Sequence, residues 1–373
     1  RPPRLGWVVV MTETTAPMER LAAEASILLC CGSGGVGKTT TAAVVALEAA
    51  RLGRRAVVVT IDPAKRLADA LGLGELTNTP SLIDGPWPGE LSALMLDTES
   101  TFNGLVARYA GSADQAEKIL SNRFYRNISG ALSGTQEYMA TEKLYELSSD
   151  GEFDLIVVDT PPTRNALDFL EAPGRLAKFL GHPLYRMVTA PTRGIVKAVN
   201  MAAQPVLRSV GKIVGGEVIA DAIAFFAAFD GMEEGFKQRA QMVETLLADD
   251  RTAFVLVASP RRDTVEEAAY FADRLADMRL SVRAVVVNRI YPFFGSGLAD
   301  ELAVAARSAD ADGALADHLR NLAELDDIAR AEREHLAPLA ERVAPAPLVE
   351  VPLLPFEVHD LTSLTALGDY LFG

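Results

Sequence analysis

Gly32-Ser33-Gly34-Gly35-Val36-Gly37-Lys38-Thr39-Thr40 follows the apolar run Ile27–Cys31 and opens a stretch rich in Ala and Val. The order is strand, glycine loop, helix. The loop matches G-x-x-x-x-G-K-[ST], the Walker A phosphate-loop pattern, in the context that pattern requires. Glycines let the backbone turn so that successive N–H groups converge on phosphate oxygens, and the helix N-terminus adds a favourable dipole. In this pattern Lys38 reaches the β- and γ-phosphates of a nucleotide and the Thr39 hydroxyl ligates Mg²⁺. The competing reading is a glycine-rich turn with no ligand. Strand, spacing and the Lys-Thr pair together weigh against it.

Outward from the loop, short apolar runs recur at Ala56–Ile61, Leu91–Leu96, Leu155–Val158, Phe254–Ala258, Val282–Val287 and Leu348–Val351. They show little polar alternation, as strands buried on both faces do. Helical stretches between them imply crossovers. The expected fold is α/β, a doubly wound, mainly parallel sheet carrying an inserted helical subdomain. Two spacings exceed what a crossover needs, about 99–149 and 166–250, and these form the insert. Residues 26–373 are read as one P-loop domain and 1–25 as a disordered extension, with 1–10 lying upstream of a natural start at Met11. The stretch Leu298–Val343 reads as an acidic, Ala-rich helical pair at a solvated surface. No internal repeat is visible.

Two further acids end strands, where ligands bind in open α/β sheets. Asp159 closes Leu155-Ile156-Val157-Val158 and is expected to hold Mg²⁺, directly or through water. Asp62 closes Ala56–Ile61 and is placed to position or deprotonate an attacking water. Each has a plainer alternative as a helix cap or turn residue.

Bulk composition narrows the class. The chain has 373 residues, 49% hydrophobic and 23% charged, enough for a substantial core and too balanced for disorder. Its net charge of −14 argues against a general affinity for nucleic acid. The two cysteines, Cys30 and Cys31, are adjacent in a strand, and neighbours there point to opposite faces. That is no disulfide framework and fits a reducing, cytoplasmic setting. The four histidines show no metal-ligand spacing, and no uncharged apolar run reaches the ~18–20 residues a membrane span needs.

At three motifs the sequence resembles the family of the arsenite-pump ATPase and the ATPase that targets tail-anchored membrane proteins (ArsA-like, of the deviant Walker A group). The motifs are Gly32–Thr40, the switch I segment Asp62-Pro63-Ala64-Lys65-Arg66-Leu67-Ala68-Asp69, and the switch II segment Asp159-Thr160-Pro161-Pro162-Thr163-Arg164-Asn165. Val287-Asn288-Arg289 and Pro352-Leu353-Leu354-Pro355 extend the likeness more weakly. The resemblance implies Mg²⁺-dependent hydrolysis of ATP, with Asp62 as the catalytic acid and Asp159 serving the metal. It implies that Asn288 reads the adenine edge and that the loop at Pro352 and Leu353 covers the base. It further implies a dimer closing around two ATP molecules, with Asp62, Pro63, Lys65, Arg66, Asp159, Thr160, Pro161 and Arg164 coupling hydrolysis to the helical insert.

Three departures from the family stand out. Where members carry a signature lysine that reaches across the dimer, this chain has Ser33. Either a paralogous subunit supplies that cation in a heterodimer, or Lys65, Arg66 or Arg164 replaces it locally, or the chain is a slow, regulatory ATPase. The C-x-x-C pair that holds zinc in targeting members is missing, and so are the clustered cysteines of arsenite sensing, so neither a zinc nor an arsenite site is expected. In the insert, Val218, Ala222, Phe225, Phe226 and Phe229 share one helical spacing, as do Ile195, Val199, Ala203 and Val206. They read either as a groove for a hydrophobic client or membrane partner, by analogy, or as core packing.

Overall fold

The structure is a computed structural model that describes residues 16–61, 66–123, 135–181, 221, 224–225, 227–228, 231–294, 304 and 314–372. In chain order its elements are α1 (Ala16–Glu24), β1 (Ile27–Cys31), α2 (Lys38–Arg51), β2 (Arg55–Thr60), α3 (Arg66–Ala70), β3 (Ser81–Ile83), β4 (Glu90–Met95), α4 (Thr98–Tyr109), α5 (Ala113–Leu120), α6 (Thr135–Asp150), β5 (Leu155–Asp159), α7 (Thr163–Gly181), α8 (Glu233–Leu247), β6 (Thr252–Ala258), α9 (Arg262–Asp277), β7 (Val282–Ile290), α10 (Ala314–Val343), β8 (Leu348–Pro352) and α11 (Leu361–Leu371). They fall into two compact units. One holds the described residues up to Met95, from Gly151 to Arg164 and from Asp250 onward. The other holds those from Leu96 to Asp150 and from Asn165 to Asp249.

The first unit is built on an eight-stranded sheet in the order β3-β4-β2-β5-β1-β6-β7-β8. Every pairing is parallel except β3 with β4. The β1 strand is central and apolar on both faces. Leu28 and Cys30 join Val58, Val157 and Val255 in a core closed by Met18, Val44 and Leu367 from α1, α2 and α11. The alternate residues Leu29, Ile156, Val158, Phe254 and Leu256 are equally buried on the opposite side, as expected of a sheet covered on both faces. Each buried Val- or Leu-sized side chain contributes about 1.5–3 kcal/mol.

Residues 16–24, read from sequence as part of a disordered extension, are helical. Met18 and Ala22 have no exposed surface, so this helix covers part of the core. The antiparallel edge strand β3 went unread because it is three residues long and leaves Leu82 61% exposed. In the acidic C-terminal stretch Ala314–Val343 forms one 30-residue helix, α10, with Pro338 inside it, and Val304 is also helical. It is not a solvated surface throughout, because Ala329, Leu336 and Leu339 are buried.

In the second unit, Asp97 caps α4 by accepting from the Ser100 N–H, and Ser112 caps α5 by accepting from the Gln115 N–H. The core there joins Leu105, Val106, Ile119, Tyr138, Met139 and Phe236. Phe225, part of the stripe read as a client groove, is buried in this core, so at that position core packing holds. Val218, Ala222, Phe226, Phe229 and the Ile195–Val206 stripe lie outside the described residues. Among the described residues no helix is long and apolar enough to cross a membrane.

Candidate phosphate site

The glycine loop leaves the C-terminal end of β1 between β5 and β6. Cys30 is in register with Asp159 on β5, and Cys31 with Leu256 on β6. On the far side of β5, Thr60 of β2 also pairs with Asp159. Strand order alone therefore brings the loop, Asp159 and Thr60 to one edge of the sheet.

Two glycines are required by space as well as by conformation. A Cβ on Gly32 would lie 2.0 Å from the Val257 carbonyl oxygen of β6. Gly37, just before α2, has φ +104°, and a Cβ there would lie 2.3 Å from Asn288 Nδ2. The left-handed turn at Gly37 aims the first turn of α2 back at the loop, which is the geometry of an anion cradle.

Lys38 and Ser33 are both buried to 7% exposure. Lys38 Nζ donates to the Ser33 carbonyl oxygen at 2.8 Å, which folds the ammonium across the loop. Thr39 Oγ1 donates to Asp159 Oδ2 at 2.6 Å, and Thr60 Oγ1 donates to the same oxygen at 3.2 Å. Asp159 is 2% exposed, so these hydroxyls offset part of the cost of burying a carboxylate. Thr160 Oγ1 donates to the Cys30 carbonyl at 2.8 Å and pins the turn after β5. A serine or threonine hydroxyl beside a carboxylate is a hard oxygen donor set of the kind Mg²⁺ takes, alongside water and phosphate oxygens. The residues fit that ion, and the glycine cradle fits phosphate.

The remaining sequence-derived positions divide. Asn288, at the end of β7, donates from Nδ2 to the Val36 carbonyl at 2.9 Å, so it anchors the phosphate loop itself. Its neighbour Arg289 holds φ +64°, a strained conformation for a non-glycine residue, and donates to the Gly35 carbonyl at 3.4 Å. Pro352 ends β8, and the Leu353 N–H donates to the Ile290 carbonyl at 2.8 Å with its side chain 45% exposed. Gly34 and Gly35 are exposed, Val36 is buried and Thr40 is half-buried. Arg66 is exposed at the start of α3, Thr160 is buried and Pro161 is half-buried. Asp62, Pro63 and Lys65 lie outside the described residues, as does the Arg164 side chain. Cys30 and Cys31 are buried and free. Burial, then the nearby Asp159, pushes the Cys30 thiol well up, and burial pushes Cys31 up to about 12, so both pack as neutral thiols.

Sequence reasoning missed two participants. Thr60 carried a usable signal, since it is the last residue of a strand at the crevice. Glu267 on α9, which accepts a hydrogen bond from Ser33 Oγ at 2.5 Å, carried none, because 234 residues separate the pair.

A phosphate loop on the central parallel strand, with a hydroxyl and a carboxylate beneath it, defines a P-loop nucleotide-binding fold. Residues 25–295 match the family described as anion-transporting ATPase, and the chain belongs to that family. It is 27% identical over 275 residues to the arsenical pump-driving ATPase of Escherichia coli, covering 72% of this chain and 40% of that protein. It is 24% identical over 346 residues to ATPase GET3 of Malassezia globosa, covering 92% of this chain and 90% of that protein. With ATPase get3 of Aspergillus terreus it shares 26% over 276 residues, 71% of this chain and 73% of that one. The chain thus spans about two fifths of the length of the pump-driving relative and most of the length of the other two.

Proposed function

We propose that the chain is a Mg²⁺-dependent ATPase that converts ATP to ADP and phosphate. The observation that carries this reading is the Thr39 hydroxyl set 2.6 Å from the Asp159 carboxylate, beside a loop crossed by the Lys38 ammonium. Lys38 and the loop N–H groups bind and orient the phosphates, and Thr39 and Asp159 hold the metal. Bound Mg²⁺ would neutralise charge that develops on the phosphates. Asp62, two residues past the end of β2 in the sequence, positions the attacking water. Positioning and fixed charge supply most of the rate enhancement for such a transfer. We extend the reading to a dimer whose turnover is coupled to a second protein or a hydrophobic client; the "pump-driving" description of the Escherichia coli relative supports the coupling to a second protein. We read its setting as cytoplasmic, with the two buried free cysteines in support.

A second reading, favoured by one observation, is an ATP-binding subunit of a heterodimer whose paralogous partner supplies the missing cation. At the signature-lysine position this chain presents a neutral Ser33 already bonded to a carboxylate. The deciding experiment is steady-state ATPase activity of the purified chain and of Asp62→Asn, with mass in solution recorded in ATP. Turnover by a homodimer that disappears in the variant supports the first reading. ATP binding without turnover supports the second.

A further inference from the structure

The Ser33 contact has a chemical consequence beyond the absence of a lysine. Cys31 pairs with Leu256, and Gly32 abuts the Val257 carbonyl. The chain leaving β6 therefore starts α9 beside the phosphate loop. The Thr264 hydroxyl donates to the Ser259 carbonyl at 2.8 Å, and Thr264 and Ala268 are buried, which fixes the first turns of α9. Glu267, one helical turn after Thr264, then meets Ser33 Oγ at 2.5 Å. On its other side Ser33 accepts from Lys38 Nζ at 2.8 Å. One loop residue thus contacts the ammonium through its backbone carbonyl and a carboxylate through its hydroxyl.

We propose that Glu267 is a specificity-determining residue of the phosphate site, a latch that sets the balance between nucleoside triphosphate and diphosphate. This rests on the reading of the loop as a nucleotide site. The carboxylate engages the Ser33 hydroxyl, a donor a phosphate oxygen would otherwise meet, and it adds a negative charge at the edge of the cradle. A triphosphate carries more charge than a diphosphate, so it bears more of the repulsion. Glu267 is exposed, so an effective dielectric of ~40–80 applies, in which a unit charge ~6 Å away changes affinity roughly three- to tenfold.

The test is calorimetric titration of the full chain with Mg²⁺-ADP and with a non-hydrolysable Mg²⁺-ATP analogue. Wild type, Glu267→Gln and Ser33→Ala are compared at low and at ~0.5 M salt. Glu267→Gln keeps a hydrogen-bond acceptor and removes only charge. It is expected to raise the analogue-to-ADP affinity ratio roughly three- to tenfold at low salt and less at high salt. Ser33→Ala removes the hydroxyl that holds the exposed carboxylate at the cradle's edge, so its ratio should shift in the same direction as that of Glu267→Gln. An unchanged ratio in Glu267→Gln, with wild type binding both nucleotides, overturns the latch alone. Failure of wild type to bind either nucleotide overturns the site reading and the latch with it.

Discussion

Thr39 Oγ1 and Asp159 Oδ2 stand 2.6 Å apart although 120 residues separate them. The contact exists because β5 lies beside β1, with Cys30 opposite Asp159. An Mg²⁺ ion would take its protein ligands from this pair. Asp159→Asn keeps the shape and removes the charge. Turnover should fall roughly 100- to 1,000-fold, the usual cost of losing one preorganised electrostatic group. The Mg²⁺ concentration for half-maximal activity should rise in both Asp159→Asn and Thr39→Ala. A Mg²⁺ titration of ATPase rate measures this, and an unchanged midpoint in both variants would remove the metal role.

Gly32→Ala should abolish nucleotide binding while leaving most of the fold. The added methyl meets the Val257 carbonyl at 2.0 Å, and backbone on both sides cannot yield cheaply. The loop must shift away from β6, which moves Ser33 and the Lys38 contact with it. Calorimetric binding of Mg²⁺-ADP, with circular dichroism as the control for folding, checks the expectation.

Much of this site is legible in the sequence because its parts are local. Loop, lysine and threonine lie within nine residues, and the strand before them announces their context. Asp159 is legible for a similar reason, as the acid closing an apolar run. Glu267 and the loop-anchoring role of Asn288 are not, since both depend on which strands become neighbours. The central strands were readable as unbroken apolar runs, whereas β3 owes its place to pairing with β4 rather than to any pattern of its own. Helix α1, nine residues long, was missed although Met18, Leu21 and Ala22 share helical spacing. Its contribution is the shape of Met18 and Ala22 against the core, which composition does not reveal.

Asp154 predicts a small pH-dependent stability effect. Hydrogen bonds from the Arg55 side chain, then from its backbone N–H, hold its carboxyl at about 2, below the usual 3.8. A depressed carboxyl stabilises the fold above its unfolded value, and that stability is lost as pH falls toward the folded one. The ion pair is 44% and 41% exposed, so solvent screening limits it to about 1 kcal/mol or less. Asp154→Asn should be less stable than wild type by that amount at pH 7. The gap should narrow as pH falls below about 4. Urea unfolding at a series of pH values measures it.

In the helical unit, Arg239 Nε of α8 donates to Glu142 Oε2 of α6 at 2.7 Å, with side chains 8% and 1% exposed. The Tyr138 hydroxyl donates to the other Glu142 oxygen, and the guanidinium carbon lies 3.7 Å from the centre of the Tyr145 ring. Arg239→Ala leaves a buried carboxylate short of its charged donor and should cost about 3–5 kcal/mol. Replacing both partners, Glu142→Leu with Arg239→Met, should recover most of that loss, because apolar packing removes the unpaired charge. Thermal unfolding of the three proteins decides. Equal loss in the single and double variants would mean the pair contributes packing alone.

Asn288 separates two accounts of one residue. Family resemblance assigns it to the adenine edge, while its Nδ2 donates to the Val36 carbonyl at 2.9 Å and stands against Gly37. A base-reading residue affects ligands that carry a base. A loop anchor affects every ligand that uses the loop. Asn288→Ala should therefore weaken Mg²⁺-tripolyphosphate binding about as much as Mg²⁺-ATP binding. Losing one hydrogen bond that orders the loop costs about 1 kcal/mol, or roughly fivefold in affinity. Calorimetry with the two ligands gives the answer directly. A loss confined to ATP would return Asn288 to the base and leave the Val36 contact as a feature of the loop before nucleotide arrives.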